Sequence, residues 1–321
     1  MIVTVTINPS VDRTIQLPSP LVRDAVLRAS AVSSQAAGKG VNVSRALAHA
    51  SVATRAIVRA DYHDPYVREL VESGLAVVTV DPGASVRTNI SLVEPDGTTT
   101  KINEPGSPLS AAAVAALHDV VAAEAPRASW VVLAGSLPPG ADVELLADLA
   151  RTARMAAPAV RIAVDTSGAP LTALRTAGVR IDLIKPNLEE LAELTGSNPA
   201  TLGTPEAVAS ACTALRADGI AAVLATLGAA GAVLASADGA WHATHPPVIA
   251  RSTVGAGDSS LAGYLIADAE RLSPAARLAR AVAYGSAAVS LPGTTIPRPT
   301  DTRPDQVTVT EIHLPATVTA P

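Results

Sequence analysis

The run Thr253-Val-Gly-Ala-Gly-Asp258-Ser259 stands directly before an Ala/Leu-rich stretch with helical spacing. Small residues ahead of a helix leave successive backbone N–H groups uncovered, and the helix dipole adds partial positive charge at that end. Such a turn suits a phosphate, or a phosphoryl group that is gathering negative charge. Asp258 sits at the helix start, where a carboxylate can take the proton of an attacking hydroxyl. The plainer alternative is a tight glycine turn with Asp258 as an N-cap.

Four further clusters carry chemistry-bearing side chains. Asn8-Pro-Ser-Val-Asp12 follows the first apolar run, and Gly38-Lys39-Gly-Val-Asn42 opens a helical stretch. A carboxylate and an amide at the carboxyl end of a strand suit a polyhydroxylated ligand, because each hydroxyl both donates and accepts. Lys185-Pro-Asn187-Leu-Glu-Glu190 spaces Asn187 and Glu190 one helical turn apart. That pair can organise hydrated Mg²⁺ near nucleotide phosphates, or act as a capping box, or both. In Thr226-Leu-Gly228-Ala-Ala-Gly231-Ala the glycines would let a turn pass close to a ligand, unless they make a plain hairpin. Ala134-Gly-Ser136-Leu-Pro-Pro-Gly140 ends an apolar run with a loop of the kind that concentrates function.

Other chemistries are excluded or disfavoured. Gly255-Ala-Gly257 begins like a dinucleotide fingerprint, but Ser260 holds the third glycine position and the segment lies far from the first strand. Gly40 stands where a P-loop needs Ser or Thr, and Ser33 where it needs Gly. His242 and His245 lie three apart without a cysteine or carboxylate cluster beside them, which makes them poor metal ligands. Cys212, the single cysteine, rules out an internal disulfide framework and reads as core; Trp130 reads as a core anchor. With 24 Lys and Arg against 29 Asp and Glu, the net charge of −5 leaves no basic stripe for nucleic acid. The start of the chain lacks the basic flank and long apolar stretch of a signal peptide, which points to the cytoplasm. Residues 220–237 carry no charge for 18 residues, but Gly228 and Gly231 interrupt them, and a pair of strands fits better than a membrane span.

These residues need a scaffold, and 48% hydrophobic residues across 321 positions are ample for a core, although the chain has no Phe. Short apolar runs at 2–7, 130–134, 160–165, 182–185 and 221–227 alternate with helical stretches at 39–50, 110–124, 143–155, 205–218, 259–270 and 274–291. Continuous apolar strands separated by helices predict an α/β, doubly wound, mostly parallel sheet sandwiched by helices. Residues 87–93 and 98–102, around Pro95-Asp-Gly97, instead read as a two-sided hairpin. With the stretch after Asn8 it would form a small β lid, over roughly 8–30 and 84–104, on a single domain spanning 1–321. An exposed small sheet needs cover from substrate or a second subunit. Residues 307–312 would add an edge strand.

In order and type, these motifs resemble the ribokinase-like (PfkB) family of carbohydrate kinases across nearly the whole chain, and within it the phosphosugar branch. The resemblance implies a ribokinase-like fold, ATP and Mg²⁺ as cofactors, and transfer of a phosphoryl group to a ketohexose phosphate. Fructose 1-phosphate is the expected acceptor, with tagatose 6-phosphate or fructose 6-phosphate as alternatives. It implies that Asp258 is the general base and that the amides of Gly255, Ala256 and Gly257 form the anion hole. Asp12 and Asn42 would hold sugar hydroxyls, with Gly38 also at the substrate. Lys39 and Arg87 would serve the phosphate already on the substrate, with Lys101 and Arg28 as further candidates, and Ser136 would also bind substrate. Lys185, Asn187, Thr226, Gly228 and Gly231 would line the ATP site, with Glu190 acting on the metal through water. A homodimer joined through the lid is expected, without nucleic-acid or membrane partners. Two positions depart from the family pattern: Ala37 replaces a glycine, with strain expected if that site needs a positive φ, and Ser260 makes the helix start more polar. A non-catalytic sugar or nucleotide sensor, and a dinucleotide-dependent dehydrogenase, are the competing readings.

Overall fold

A computed structural model describes residues 1–80 and 86–314. Its main sheet has ten strands. Val77–Val80, Thr54–Arg59, Ile2–Thr6, Trp130–Ala134, Arg161–Asp165, Leu183–Ile184 and Val223–Thr226 lie side by side and parallel. Ala232–Ser236, Gly239–Thr244 and Thr308–Ile312 continue the sheet antiparallel to its edge. The uncharged 220–237 stretch thus folds as two antiparallel strands, and no described helix is long and apolar enough to cross a membrane.

The Trp130–Ala134 strand shows why helices cover both faces. Val131 and Leu133 enter one apolar cluster, while Trp130, Val132 and Ala134 enter the other. Side chains alternate across a strand, so a run with no polar member must be packed on both sides. Leu145–Ala156 covers the first side with Leu146, Leu149 and Ala153, and Ala256–Ala269 and Pro274–Ser290 cover the second with Leu261, Leu265 and Tyr284.

A separate four-stranded sheet runs in the order Ala31–Ala37, Ser10–Gln16, Arg87–Val93, Thr99–Asn103. It takes in Ala31–Ala37, past the expected limit at 30, because that segment pairs antiparallel with all of Ser10–Gln16. Residues 17–30 carry no strand, and positions 84 and 85 of the expected lid lie outside the described residues. The register sets Gln35, Asp12, Asn89 and Asn103 abreast, with Arg87 and Lys101 on that same face. Thr294 donates to Gln35 Oε1 at 2.7 Å, so this polar face looks onto the main body. The opposite face carries Ile15, Val32, Ile90, Leu92 and Ile102.

Ala37 carries none of the expected strain. The positive φ falls on the next residue, Gly38, at +135°, where an added Cβ would sit 2.7 Å from Thr6 Cγ2.

Candidate active site

Two helix N-termini converge on Asp258. Lys39–His49 begins after Gly38, and Ala256–Ala269 begins after the left-handed Gly255, φ +76°. The helix starts at Ala256, not at 259, so Asp258 is the third helical residue and not an N-cap. Asn42 Nδ2 donates to Asp258 Oδ2 at 2.8 Å across 216 positions of sequence. Both residues are buried, and each lies near the start of its helix, where the leading amides lack intrahelical partners. Burial, followed by the like charge of Asp165, pushes the Asp258 carboxyl up to about 6, while Lys39, Lys185 and the Asn42 hydrogen bond oppose the rise. A carboxylate that binds its proton near neutrality is suited to accept one from an alcohol. Below that midpoint the group is already protonated and can accept nothing. We therefore expect carboxyl ¹³C NMR of the free protein to show one aspartate, absent from Asp258→Asn, titrating near pH 6; a midpoint at or below about 4, the ordinary carboxylate value, would remove its tuning.

Asp165, which the motif reading passed over, lies at the centre of the charged cluster. Its side chain is fully buried, with Lys39 Nζ 2.8 Å from Oδ1 and Lys185 Nζ 3.2 Å from Oδ2. Burial would push Asp165 up, but the two ammonium groups more than offset this and hold it below its ordinary value. Burial works downward on the Lys39 ammonium, yet Asp165 and then Asp258 raise it overall. Lys185 reaches the Gly-Ala-Gly turn, since an added Cβ at Gly257 would lie 3.0 Å from its Nζ. Lys39, expected at the phosphate already on the substrate, is thus seated beside the proposed base.

On the small sheet, Asp12 Oδ1 accepts from Ser10 Oγ at 2.9 Å and from Asn89 Nδ2 at 3.1 Å. Asn42 Oδ1 and Asn89 Oδ1 are buried acceptors without a donor among the described residues. Buried polar atoms are rarely left unpaired, and ligand hydroxyls would satisfy these. Arg87 donates to the Glu104 carbonyl at 2.7 Å and to Ser136 Oγ at 3.4 Å, and Asn8 Nδ2 approaches the same hydroxyl at 3.5 Å. An open recess of about 300 Å³ lies against Arg87, Glu104, Gly106 and Ser107. Arg59, also unforeseen, borders the adjoining recess with Asn8 and Arg87, and its guanidinium donates to the Ser107 and Pro108 carbonyls. Lys101 is exposed on the outermost strand of the small sheet, and Arg28 is exposed in the strandless 17–30 connection. Asn89 was legible from its spacing, two residues beyond Arg87 on one strand and hence on the same face; Asp165 and Arg59 sit in apolar strands with no motif to mark them.

On the other side, Asn187 and Glu190 form a reciprocal capping box, with Glu190 N–H donating to Asn187 Oδ1 at 2.8 Å and Asn187 N–H to Glu190 Oε2 at 2.9 Å. The cap uses one Glu190 oxygen and leaves the other. No group of three or more His, Cys, Asp or Glu side chains gathers as a metal cage among the described residues. The donor set therefore fits an ion that arrives on nucleotide phosphates and keeps its waters, as Mg²⁺ does. Thr226 N–H donates to the Pro186 carbonyl at 2.9 Å and brings its strand end beside Asn187. Gly228, φ +59°, has open space where a side chain would point. Gly231 differs: an added Cβ would fall 1.9 Å from the Ala243 carbonyl oxygen, so its glycine is required by the neighbouring strand. His242 Nε2 lies 2.8 Å from the Ala230 carbonyl and is held by that turn.

The family model of the pfkB family carbohydrate kinases matches residues 6–301. The chain belongs to this family. Among curated proteins it is 38% identical over 293 residues to the 1-phosphofructokinase of Rhodobacter capsulatus, covering 89% of this chain and 90% of that one. It is 32% identical over 306 residues to the ATP-dependent 6-phosphofructokinase isozyme 2 of Escherichia coli, covering 94% and 96%. The crystal structure of Escherichia coli phosphofructokinase-2 in complex with substrates and products superposes with a TM-score of 0.86 at 31% identity, covering 94% of this chain and 96% of that one. As a PfkB member the chain has the ribokinase-like α/β fold and is an ATP-dependent kinase, which sets aside the dehydrogenase reading.

Proposed function

We propose that this kinase transfers the γ-phosphoryl group of ATP to the free primary hydroxyl of fructose 1-phosphate, giving fructose 1,6-bisphosphate. The 2.8 Å contact between Asn42 and Asp258 carries the reading, because it brings the sugar-side and phosphoryl-side motifs to one point. Asp12, Asn42 and Asn89 hold the sugar hydroxyls, with Gly38 supplying the turn that lets the chain pass Thr6. Arg87, which lines the open recess, and Ser136, whose hydroxyl lies 3.4 Å from the Arg87 guanidinium, take the phosphate already on the sugar. Asp258 then accepts the hydroxyl proton as the sugar oxygen attacks phosphorus, and the bond to ADP breaks. The amides of Gly255, Ala256 and Gly257 receive the charge that develops on the phosphoryl oxygens. Lys185, Asn187, Thr226 and Gly228 border the nucleotide. Glu190 would hold Mg²⁺ through water, and that ion would neutralise phosphate charge. The protein supplies mainly alignment and electrostatics, which is what this transfer asks for.

We read the chain as one domain with the four-stranded sheet as a lid over the sugar. Its outward face of Ile15, Val32, Ile90, Leu92 and Ile102 is covered, on this reading, by the lid of a second copy in a homodimer.

Identities of 36–38% to the 1-phosphofructokinases of Rhodobacter capsulatus, Xanthomonas campestris and Haloferax volcanii support fructose 1-phosphate as the acceptor. A coupled kinase assay with fructose 1-phosphate, fructose 6-phosphate and tagatose 6-phosphate tests this by their kcat/KM values. Fructose 1-phosphate should rank first by at least about tenfold, a difference of roughly 1.4 kcal/mol in transition-state binding. Another sugar ranking first would reassign the acceptor, and turnover of none would end the reading.

A further inference from the structure

We propose that Asp165 is a positioning residue, a buried carboxylate that sets Lys39 and Lys185 side by side as a two-cation grip for the phosphoryl group in transfer. The inference rests on the kinase reading above and assigns a role to a residue that reading leaves unused. Asp165 ends the Arg161–Asp165 strand, at the carboxyl edge of the sheet where α/β proteins bind ligands. The two lysines reach it from different elements. Lys39 is the first residue of the Lys39–His49 helix, and Lys185 follows Leu183–Ile184, the strand directly beside Asp165. Each ammonium has its own carboxylate oxygen, at 2.8 and 3.2 Å, and neither has another carboxylate within ion-pair distance among the described residues.

The arrangement is asymmetric in a way that suits transfer. Lys185 is 5% exposed and lies against the Gly-Ala-Gly turn, whereas the Lys39 side chain is 36% exposed. An ammonium on a four-carbon stem has no preferred direction of its own, so a fixed counter-charge is what gives it one. Removing that counter-charge would leave Lys185 buried without its ion-pair partner and free Lys39 to swing toward solvent. The groups facing Asp258 are Asp165, Lys39 and Lys185, with Asn42 donating a hydrogen bond. The same hub therefore also acts on the base, since its negative charge favours a proton on Asp258.

The test compares Asp165→Asn, Lys185→Met and the double variant for kcat, both KM values and Mg²⁺ requirement, with carboxyl ¹³C titration of Asp258 in each. Each single variant should lose at least about 30-fold in kcat, with KM for the sugar phosphate within about threefold of the parent. The double variant should fall no more than about threefold below the worse single one, because both changes dismantle one unit. In Asp165→Asn the Asp258 midpoint should move down from about 6, because the like charge that is removed outweighs the opposing Lys39 charge that is loosened with it. Should Asp165→Asn be too unstable to assay, the double variant removes one charge of each sign and still reads the coupling against Lys185→Met. Additive losses, an unmoved Asp258 midpoint, or a kcat restored by raising Mg²⁺ alone would overturn the proposal. A parent protein that phosphorylates no sugar phosphate would instead defeat the functional reading, while the titration would still report the charge coupling.

Discussion

Asp258→Asn is expected to cut kcat by at least ~100-fold while the protein folds normally and still binds ATP, since a positioned general base contributes roughly that much or more. The amide has the same shape as the carboxylate, so the packing around Asn42 and the Gly-Ala-Gly turn survives. What disappears is a proton acceptor within the convergence of two helix N-termini. The amide also removes a buried negative charge that sits near Asp165, so folding stability should hold or rise. Steady-state kinetics, thermal melting and ATP titration read the three quantities separately. Turnover within about tenfold of the parent would show that the proton goes elsewhere.

The largest expected effect on stability lies outside the site. Asp268, fully buried on the Ala256–Ala269 helix, accepts from Trp130 Nε1 at 2.8 Å and from both Arg161 guanidinium nitrogens at 2.9 and 2.6 Å, and pairs with Arg277 at 3.0 Å. The Arg161 guanidinium also stacks 4.4 Å above the Trp130 ring. One carboxylate therefore fastens the helix that carries Asp258 to two adjacent strands. Asp268→Ala would leave an indole N–H and two arginines without their acceptor, and breaking a buried charge pair from one side costs about 3–5 kcal/mol. The midpoint of urea unfolding should fall accordingly, and a loss below about 1 kcal/mol would mean that water replaces the carboxylate. Trp130 reads as a core anchor from its sequence context, but its anchoring is as much a hydrogen bond to a distant acid as it is apolar packing.

The alternation of apolar runs with helical stretches was enough to specify the layered sheet, because a strand without polar residues can only be satisfied between two covers. Motif spacing likewise singled out Asp258, Asn42 and Asn187 as candidates, since glycine turns and helix starts are local features that a short segment encodes by itself. Helix boundaries were less legible: Gly255 in the left-handed region starts its helix three residues earlier than the apolar pattern suggests.

What only the tertiary structure decided is which charges meet. Asp165 stands in an apolar strand with nothing nearby in sequence to mark it, yet the sheet brings Lys185 beside it and the Lys39–His49 helix delivers Lys39 to its other oxygen. Arg59 and Asn8 reach the Arg87 recess in the same way, from separate strand ends. Local sequence sets backbone conformation through sterics and capping over a few residues. The strength and sign of an ion pair depend on distance and burial, and those quantities exist only once remote segments have packed together.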